Sequence, residues 1–159
     1  MQTRVNLFGN PVAAKALKHI ASASMVLIKE STLSATTRDL VLLRASQING
    51  CGYCTDVHSK DLTHAGQSAT RLNLVAAWRE ANVFTDAERA ALELTEQGTR
   101  IADAAGGVTD DAWGNATDHY DEDQLATLML LIALINANNR LGVINQMPGG
   151  DYKPGQFGY

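Results

Sequence analysis

The chain has 159 residues, of which 45% are hydrophobic and 19% charged, a composition typical of a single globular domain and not of a disordered or fibrous chain. The 13 Lys and Arg residues against 17 Asp and Glu give a formal net charge of −4, so we expect no general attraction to nucleic acid or anionic membranes. Two cysteines are too few for a disulfide-stapled secreted scaffold. No signal peptide is evident, and the apolar run 125–135 is too short to span a bilayer. We therefore expect one cytoplasmic domain over residues 1–159.

The residue types predict an all-α fold. Proline occurs only at positions 11, 148 and 154, and no β-branched run shows the strict alternation of a strand. Capping residues and glycines then divide the chain into a bundle of six to seven helices. The expected helical segments are 11–30, 36–49, 52–65, 69–78, 86–104, 110–119 and 122–146.

The two ends of the chain carry further signals. In the first helix, apolar or small residues recur at three- and four-residue steps and predict one packed face: Leu17, Ile20, Ser24, Leu27 and Ile28. The last helix is hydrophobic almost all round, which indicates burial in the core or at a subunit interface. The tail 149–159 is rich in glycine, and we expect a flexible loop or a segment that packs on a neighbouring subunit.

Both cysteines lie in one segment, Cys51-Gly-Tyr-Cys54, and His58 follows four residues later. At about 100° per residue the three side chains share one helix face. A helix beginning near Cys51 would stabilise a thiolate, and a neighbouring imidazole can accept the thiol proton. Asp39, on the preceding helix, is the candidate carboxylate to orient that imidazole or relay the proton. The pattern therefore predicts a dithiol redox site.

Other interpretations of the same residues stay open. The cysteines could be inert, buried apolar residues. They could instead hold zinc together with His58 and a fourth histidine, although the sequence has no second close pair of ligands. Asp39 could simply favour the dipole at the start of its helix. A thioredoxin fold is disfavoured because a helix, not a strand, precedes the Cys-x-x-Cys segment.

The sequence from Leu43 to Asp61, LRASQINGCGYCTDVHSKD, resembles the core of the alkylhydroperoxidase D (AhpD)-like proteins of the carboxymuconolactone decarboxylase superfamily. The similarity continues at 74–80, 84–92 and 135–140. It implies an all-helical antioxidant fold with Cys-x-x-Cys at a helix N-terminus, assembled as trimers or hexamers. It also implies peroxide reduction by a dithiol with a carboxylate–histidine proton relay.

By position, the resemblance makes Cys54 the peroxidatic cysteine, Cys51 its disulfide partner and His58 the relay histidine. Asp39 falls where the family usually has glutamate, which shortens the side chain by one methylene. Tyr53 replaces the histidine that AhpD proper carries between its cysteines. Decarboxylases of the superfamily lack the cysteine pair, so decarboxylation is disfavoured.

The expected function is a thiol-dependent peroxidase or disulfide reductase that needs no metal or organic cofactor beyond its own disulfide. Its expected partners are a peroxide substrate and an external dithiol reductant, for which a peroxiredoxin is one candidate. Two alternatives are a non-catalytic module that senses redox state or holds zinc, and a carboxymuconolactone-type lyase that uses His58 and Asp39 while the cysteines are idle.

Overall fold

The computed structural model describes residues 2–103 and 106–156. Within these ranges the chain forms α-helices, one 3₁₀ helix and loops, without a β-strand, so the predicted all-α class is confirmed. The 3₁₀ helix spans Val75–Glu80. The α-helices are α1 (Pro11–Glu30), α2 (Ala35–Ile48), α3 (Gly52–His64), α4 (Ala69–Leu74), α5 (Asp86–Thr99), α6 (Asp110–Thr117) and α7 (Glu122–Ile144).

The predicted helix starts are confirmed by their capping hydrogen bonds. Asn10 Oδ1 accepts the first backbone amides of α1, which continues from Pro11. Thr85 and Asp121 each form a complete capping box at the starts of α5 and α7. Local polar chemistry therefore determines where these helices begin.

Two expected helices differ from those observed. The segment 69–78 is not one helix, because Ala77 has non-helical backbone angles and the chain continues as the 3₁₀ turn. This turn buries Trp78, whose Nε1 donates to Glu96 on α5 at 2.9 Å. Helix α5 ends at Thr99, whereas the expected end, Ala104, lies outside the described residues. Since Ile101 stays 64% exposed, continuing the helix would bring no packing gain.

The apolar core consists of two clusters that share helices α2 and α5. One cluster joins α2 and α5 to α6 and α7, around Val41, Leu94 and Leu128. The other joins α2 and α5 to α3 and the 3₁₀ turn, around Leu40 and Leu62. Helix α2 is therefore packed on both sides, and its C-terminal end leads directly into the cysteine segment.

Helices α1 and α7 are both long and apolar enough, by length and composition, to cross a membrane. Core helices of globular proteins pass the same test, and α7 supplies Leu128, Leu131 and Ile132 to the core. The chain covers only one side of α7, because Met129 and Leu130 are more than half exposed. Helix α1 has no fully buried residue; its predicted apolar face is half-buried, with Leu27 packed against the core.

The start of the C-terminal tail packs against α3 of the same chain. Asp56 accepts hydrogen bonds from the amides of Gly150 and Tyr152 at 2.7 and 3.1 Å, and Lys60 donates to the carbonyl oxygens of the same two residues. The Tyr152 side chain is 5% exposed, and its hydroxyl donates to Asp61. These contacts hold residues 150–152 on α3, the helix that contains Cys54 and that Cys51 caps.

Candidate functional site

The turn between α2 and α3 places Cys51 at the N-cap of α3. Gly50 has φ +66°, a left-handed conformation that glycine adopts without strain. The amide of Cys51 then donates to the Ser46 carbonyl oxygen at 3.0 Å. As the N-cap of α3, Cys51 accepts the amide of Cys54 on its Sγ at 3.3 Å. The expected position of a cysteine at a helix N-terminus is confirmed.

Cys51 and Cys54 form a disulfide, with their Cα atoms 5.4 Å apart. Both residues are shielded from bulk solvent, at 1% and 6% exposure respectively. Their surroundings nevertheless differ, because Cys54 lines a cavity and Cys51 is not among the residues that line it. Of the two cysteines, Cys54 is the one that a small molecule in this cavity would meet.

The cavity has a volume of about 510 Å³. It reaches the protein surface beside Phe8, whose side chain is 76% exposed. Its walls come from the N-terminal segment, α1, α3, α7 and the residues after α7. The apolar lining residues are Val5, Leu7, Phe8, Leu17, Ile20, Ala21, Met25, Val57, Ile135, Leu141 and Met147.

His58 lines the same cavity, one helical turn after Cys54. The shared face predicted from the spacing of these two residues is therefore observed. Desolvation by burial lowers the pKa of His58 to about 4, because a charged imidazole is poorly solvated there. With the cysteines oxidised, His58 is neutral at physiological pH and able to accept a proton.

Asp39 lies on α2, apart from the residues that line the cavity. Burial raises the pKa of its carboxyl to about 6; Arg38 opposes this shift and Asp61 adds to it. Within the described ranges, no hydrogen bond or ion pair joins Asp39 to His58. The carboxylate–histidine relay from Asp39 stays a prediction, although a carboxyl with this pKa is suited to exchanging protons near neutral pH.

A buried polar network fastens α7 to the turn that carries Cys51. The Asn139 side chain is fully buried and donates to Ser46 Oγ at 3.1 Å. Asn49 donates to both Asn139 and Asn136 on α7, at 2.9 Å each. Ser46, whose carbonyl oxygen holds the Cys51 amide, is thus connected to α7 through its hydroxyl. The network positions the first turn of α3 relative to α7.

Several cavity residues could not be identified from the spacing of the cysteines. Tyr53 and Asn138 line the cavity beside Cys54 and His58. Asn145 lines it as well and forms two hydrogen bonds with the backbone of Val5, at 2.8 and 3.0 Å, which fix the N-terminal segment across one side. Since this pair is separated by 140 residues, local sequence patterns carry no signal for it.

The zinc interpretation finds no ligand set in the part of the chain that the structure describes. No group of three or more His, Cys, Asp or Glu side chains is gathered there in an arrangement that could hold a metal ion. The two sulfurs are bonded to each other instead. The donor geometry thus fits a dithiol–disulfide pair better than a structural zinc site.

Comparison with known proteins identifies the family. The model of the carboxymuconolactone decarboxylase family matches residues 13–97, a range that contains α2, α3 and both cysteines. The chain belongs to the carboxymuconolactone decarboxylase family. Within this family it is AhpD-like, as its resemblance predicted. A solved structure supports this: a protein of unknown function from Agrobacterium tumefaciens, provisionally called the antioxidant defence protein AhpD, shares 32% identity with this chain. The two superpose with a TM-score of 0.86 over 95% of this chain and 100% of that protein.

Two curated family relatives are uncharacterised. YdfG of Bacillus subtilis is 38% identical over 115 residues, which cover 72% of this chain and 77% of YdfG. YnjA of Escherichia coli is 33% identical over 121 residues, covering 76% of this chain and 64% of YnjA. The chain therefore spans less than two thirds of YnjA. The names of these relatives leave the substrate open.

A more distant likeness concerns the fold alone. The debrominase Bmp8 shares 16% identity and superposes with a TM-score of 0.78 over 91% of this chain and 75% of its own. The same helical arrangement thus occurs in a debrominase.

We predict that Asn139→Ala destabilises the protein by about 2 kcal/mol, because it removes a fully buried side chain and takes one hydrogen-bond partner each from Asn49 and Ser46. Asn49 would then keep only its bond to Asn136, and the Ser46 hydroxyl only its bond to the Leu42 carbonyl oxygen. Urea unfolding of the oxidised protein measures the change. Asn115→Ala, on the polar side of α6, is the control and should alter the free energy of unfolding by less than about 0.5 kcal/mol. Equal effects of the two substitutions would contradict a special role for the network.

The pKa shifts of Asp39 and His58 predict opposite contributions to the pH dependence of stability. With its pKa raised to about 6, Asp39 makes the free energy of unfolding fall as pH rises from about 4 to 6. With its pKa lowered to about 4, His58 makes the same quantity rise with pH up to about 6.5. The two contributions largely cancel in the native sequence.

Asp39→Asn should therefore stabilise the protein at pH 7 by on the order of 2 kcal/mol and leave a free energy of unfolding that rises between pH 4 and 6.5. Urea titrations at half-unit pH intervals test this. Asp118→Asn, which changes an exposed carboxylate, serves as the control. A pH profile of Asp39→Asn parallel to that of the native protein would show that burial does not raise the pKa of Asp39.

Proposed function

We propose that this AhpD-like protein is a thiol-dependent peroxidase that reduces organic hydroperoxides with the Cys51–Cys54 pair. The observation that carries the proposal is that Cys54 and His58 line the same cavity. Cys51 is bonded to Cys54 in a disulfide, so it lies close enough to serve as the partner thiol. The family and the AhpD-like relative support thiol redox chemistry. The peroxide as electron acceptor is our inference from the site.

The proposed cycle begins with the dithiol form. The Cys54 thiolate attacks the outer oxygen of the hydroperoxide; an S–O bond forms, the O–O bond breaks, and the alkoxide leaves as an alcohol after taking a proton. The Cys51 thiolate then attacks the Cys54 sulfenic acid, the S–S bond forms and water leaves. An external dithiol reduces this disulfide by two thiol–disulfide exchanges, which restores both thiols and completes the electron balance.

His58 is the proposed proton carrier of this cycle. Neutral in the oxidised protein, it can take the proton of the Cys54 thiol and give it to the leaving alkoxide. A thiolate one helical turn away would favour the imidazolium, so the two charges would stabilise each other in the cavity. Asp39 is proposed to exchange this proton with solvent. The proton would pass between His58 and Asp39 through a water molecule or after a shift of α2.

The lining of the cavity supports an uncharged organic substrate. Among the described residues that line it, none is Asp, Glu, Lys or Arg, and an anionic substrate would lose its hydration without a compensating cation. Hydrogen peroxide would fill only a small part of about 510 Å³. An alkyl or aryl hydroperoxide would gain by removing its own apolar surface and that of the cavity from water.

Reductive removal of bromide from an aromatic ring is the second candidate. It requires the same two electrons from the dithiol, with a C–Br bond replaced by C–H and bromide released. The apolar cavity beside Cys54 suits an aromatic ring, and the debrominase Bmp8 has this fold. A lyase that uses His58 and Asp39 without the cysteines is the third; it has less support, because Asp39 does not line the cavity.

The setting of the reaction follows from the dithiol chemistry. A cytoplasmic location would supply the reducing partner that the cycle needs, since thiols are kept reduced there.

A homotrimer or homohexamer would cover the exposed apolar side of α7, where Met129 and Leu130 lie. The expected reductant is a protein dithiol, which must reach the disulfide from the cavity side.

We predict that Cys54→Ser abolishes the consumption of cumene hydroperoxide, because no nucleophile then faces the cavity. Cys51→Ser should still react once and then accumulate the Cys54 sulfenic acid, since its resolving thiol is missing. Stopped-flow measurement of peroxide loss, with dimedone trapping and mass spectrometry of the 51–54 peptide, separates the two variants. The matched substitutions at the two cysteines control for loss of the disulfide itself.

Three outcomes would redirect the assignment. Unchanged turnover in Cys54→Ser would reject the peroxidase mechanism. Release of bromide from a bromopyrrole, without peroxide consumption, would select the second candidate. Lyase activity that survives thiol blocking with iodoacetamide would select the third.

We predict that the pKa of His58 depends on the redox state of the cysteines. In the oxidised protein it is about 4; after reduction, a Cys54 thiolate beside it should raise the pKa by stabilising the imidazolium. NMR titration of the His58 ring protons in both states measures the difference, and reduced Cys54→Ser is the control. The same His58 pKa in both states would contradict its role as the thiol's proton acceptor.

A further inference from the structure

We propose that Gly142 on α7 is a positioning residue that allows the disulfide to form and keeps Cys51 away from the cavity. The inference rests on the redox pair of the proposed function, but it concerns the dithiol–disulfide equilibrium and not the reaction with peroxide. Gly142 lies in the last turn of α7 and is buried. A glycine is a poor helix former, and at this buried position its lack of a side chain has a local consequence.

The local consequence concerns the distance to the two sulfurs. A Cβ atom added at Gly142 would lie 2.7 Å from Cys51 Sγ and 3.6 Å from Cys54 Sγ. The first distance is far inside van der Waals contact, whereas the second is an ordinary contact. The missing side chain of Gly142 therefore provides the space that the Cys51 sulfur occupies.

Neither side of this contact can move away easily in the oxidised protein. Cys51 Sγ is bonded to Cys54 Sγ and accepts the Cys54 amide as the N-cap of α3. One turn earlier on α7, Asn139 is held by hydrogen bonds to Ser46 and Asn49. The disulfide is thus more favourable with a residue that lacks a Cβ at position 142.

The reduced protein is under less constraint. Without the S–S bond, the Cys51 side chain can rotate about its Cα–Cβ bond and leave the space beside Gly142. A methyl group at position 142 would consequently disfavour the disulfide more than the dithiol. It follows that Gly142 biases the equilibrium toward the disulfide, and that packing against α7 leaves Cys54 as the sulfur that faces the cavity.

The test is the equilibrium of Gly142→Ala with glutathione. In this reaction the protein dithiol and one glutathione disulfide give the protein disulfide and two glutathione molecules. We expect the equilibrium constant to fall at least tenfold relative to the native protein, which is about 30 mV for a two-electron couple. Gly114→Ala is the matched control, because it is also a helical glycine and an added Cβ there meets no atom within 4 Å.

An equilibrium constant for folded Gly142→Ala within twofold of the native value would overturn the proposal, and so would an equal change in Gly114→Ala. No peroxide is used, so failure of the peroxidase assignment would not affect this result. Conversely, a normal equilibrium together with peroxide turnover would reject Gly142 as a positioning residue and leave the peroxidase intact.

A second variant covers the case in which Gly142→Ala does not fold with both cysteines present. Combined with Cys51→Ala, which removes the sulfur that the new methyl group would meet, Gly142→Ala should fold and lose far less stability. Thermal unfolding of the two single variants and the double variant gives this coupling. If the double variant is as damaged as Gly142→Ala alone, the contact with Cys51 is not the cause and the proposal is wrong.

Discussion

The packing of α7 across the first turn of α3 is the constraint on which the site depends. Asn139 holds the turn through Ser46 and Asn49, and Gly142 brings the α7 backbone close to the sulfurs. Because α7 occupies one side of the disulfide, Cys51 is enclosed and Cys54 is left toward the cavity. The two cysteines thus differ in their access to the cavity because α7 packs against the Cys51 side of the disulfide.

Desolvation determines the charge state of the groups around this disulfide. It lowers the pKa of His58 and raises that of Asp39, so each residue moves toward its neutral form. A neutral imidazole beside an apolar cavity is a proton acceptor whose strength increases when a thiolate forms nearby. In the proposed cycle, a Cys54 thiolate formed on reduction would raise the pKa of His58, so the reduced site would be the reactive one.

The sequence predicted the features that depend on neighbouring residues. The caps Asn10, Thr85 and Asp121 set three helix starts, and the spacing of Cys54 and His58 places both on one face of α3. These signals are local, so they can be interpreted without knowledge of the tertiary fold. The resemblance carried by residues 43–61 identified the family for the same reason, because the chemistry is concentrated in one short segment.

The features that could not be predicted are those that depend on which face of one helix packs against another helix. A glycine at position 142 carries no local sign that it lies against Cys51, and the bonds of Asn145 to Val5 join opposite ends of the chain. The electrostatic neighbours of Asp39 are a further example: its place in the sequence predicts a relay to His58 but does not reveal that Arg38 and Asp61 act on its pKa. Helical periodicity gives the phase of a residue on its own helix, but not the identity of the partner helix.

The elements that form the cavity differ in how firmly they are built. Helices α3 and α7 belong to the packed interior, through residues such as Leu62 and Leu128. Helix α1 also lines the cavity yet has no fully buried residue, and the segment before it is held mainly through Asn145. Local opening free energies are lowest where few apolar contacts are buried. Substrate entry is therefore expected on the α1 side, where movement would leave the sulfurs and their support on α7 undisturbed.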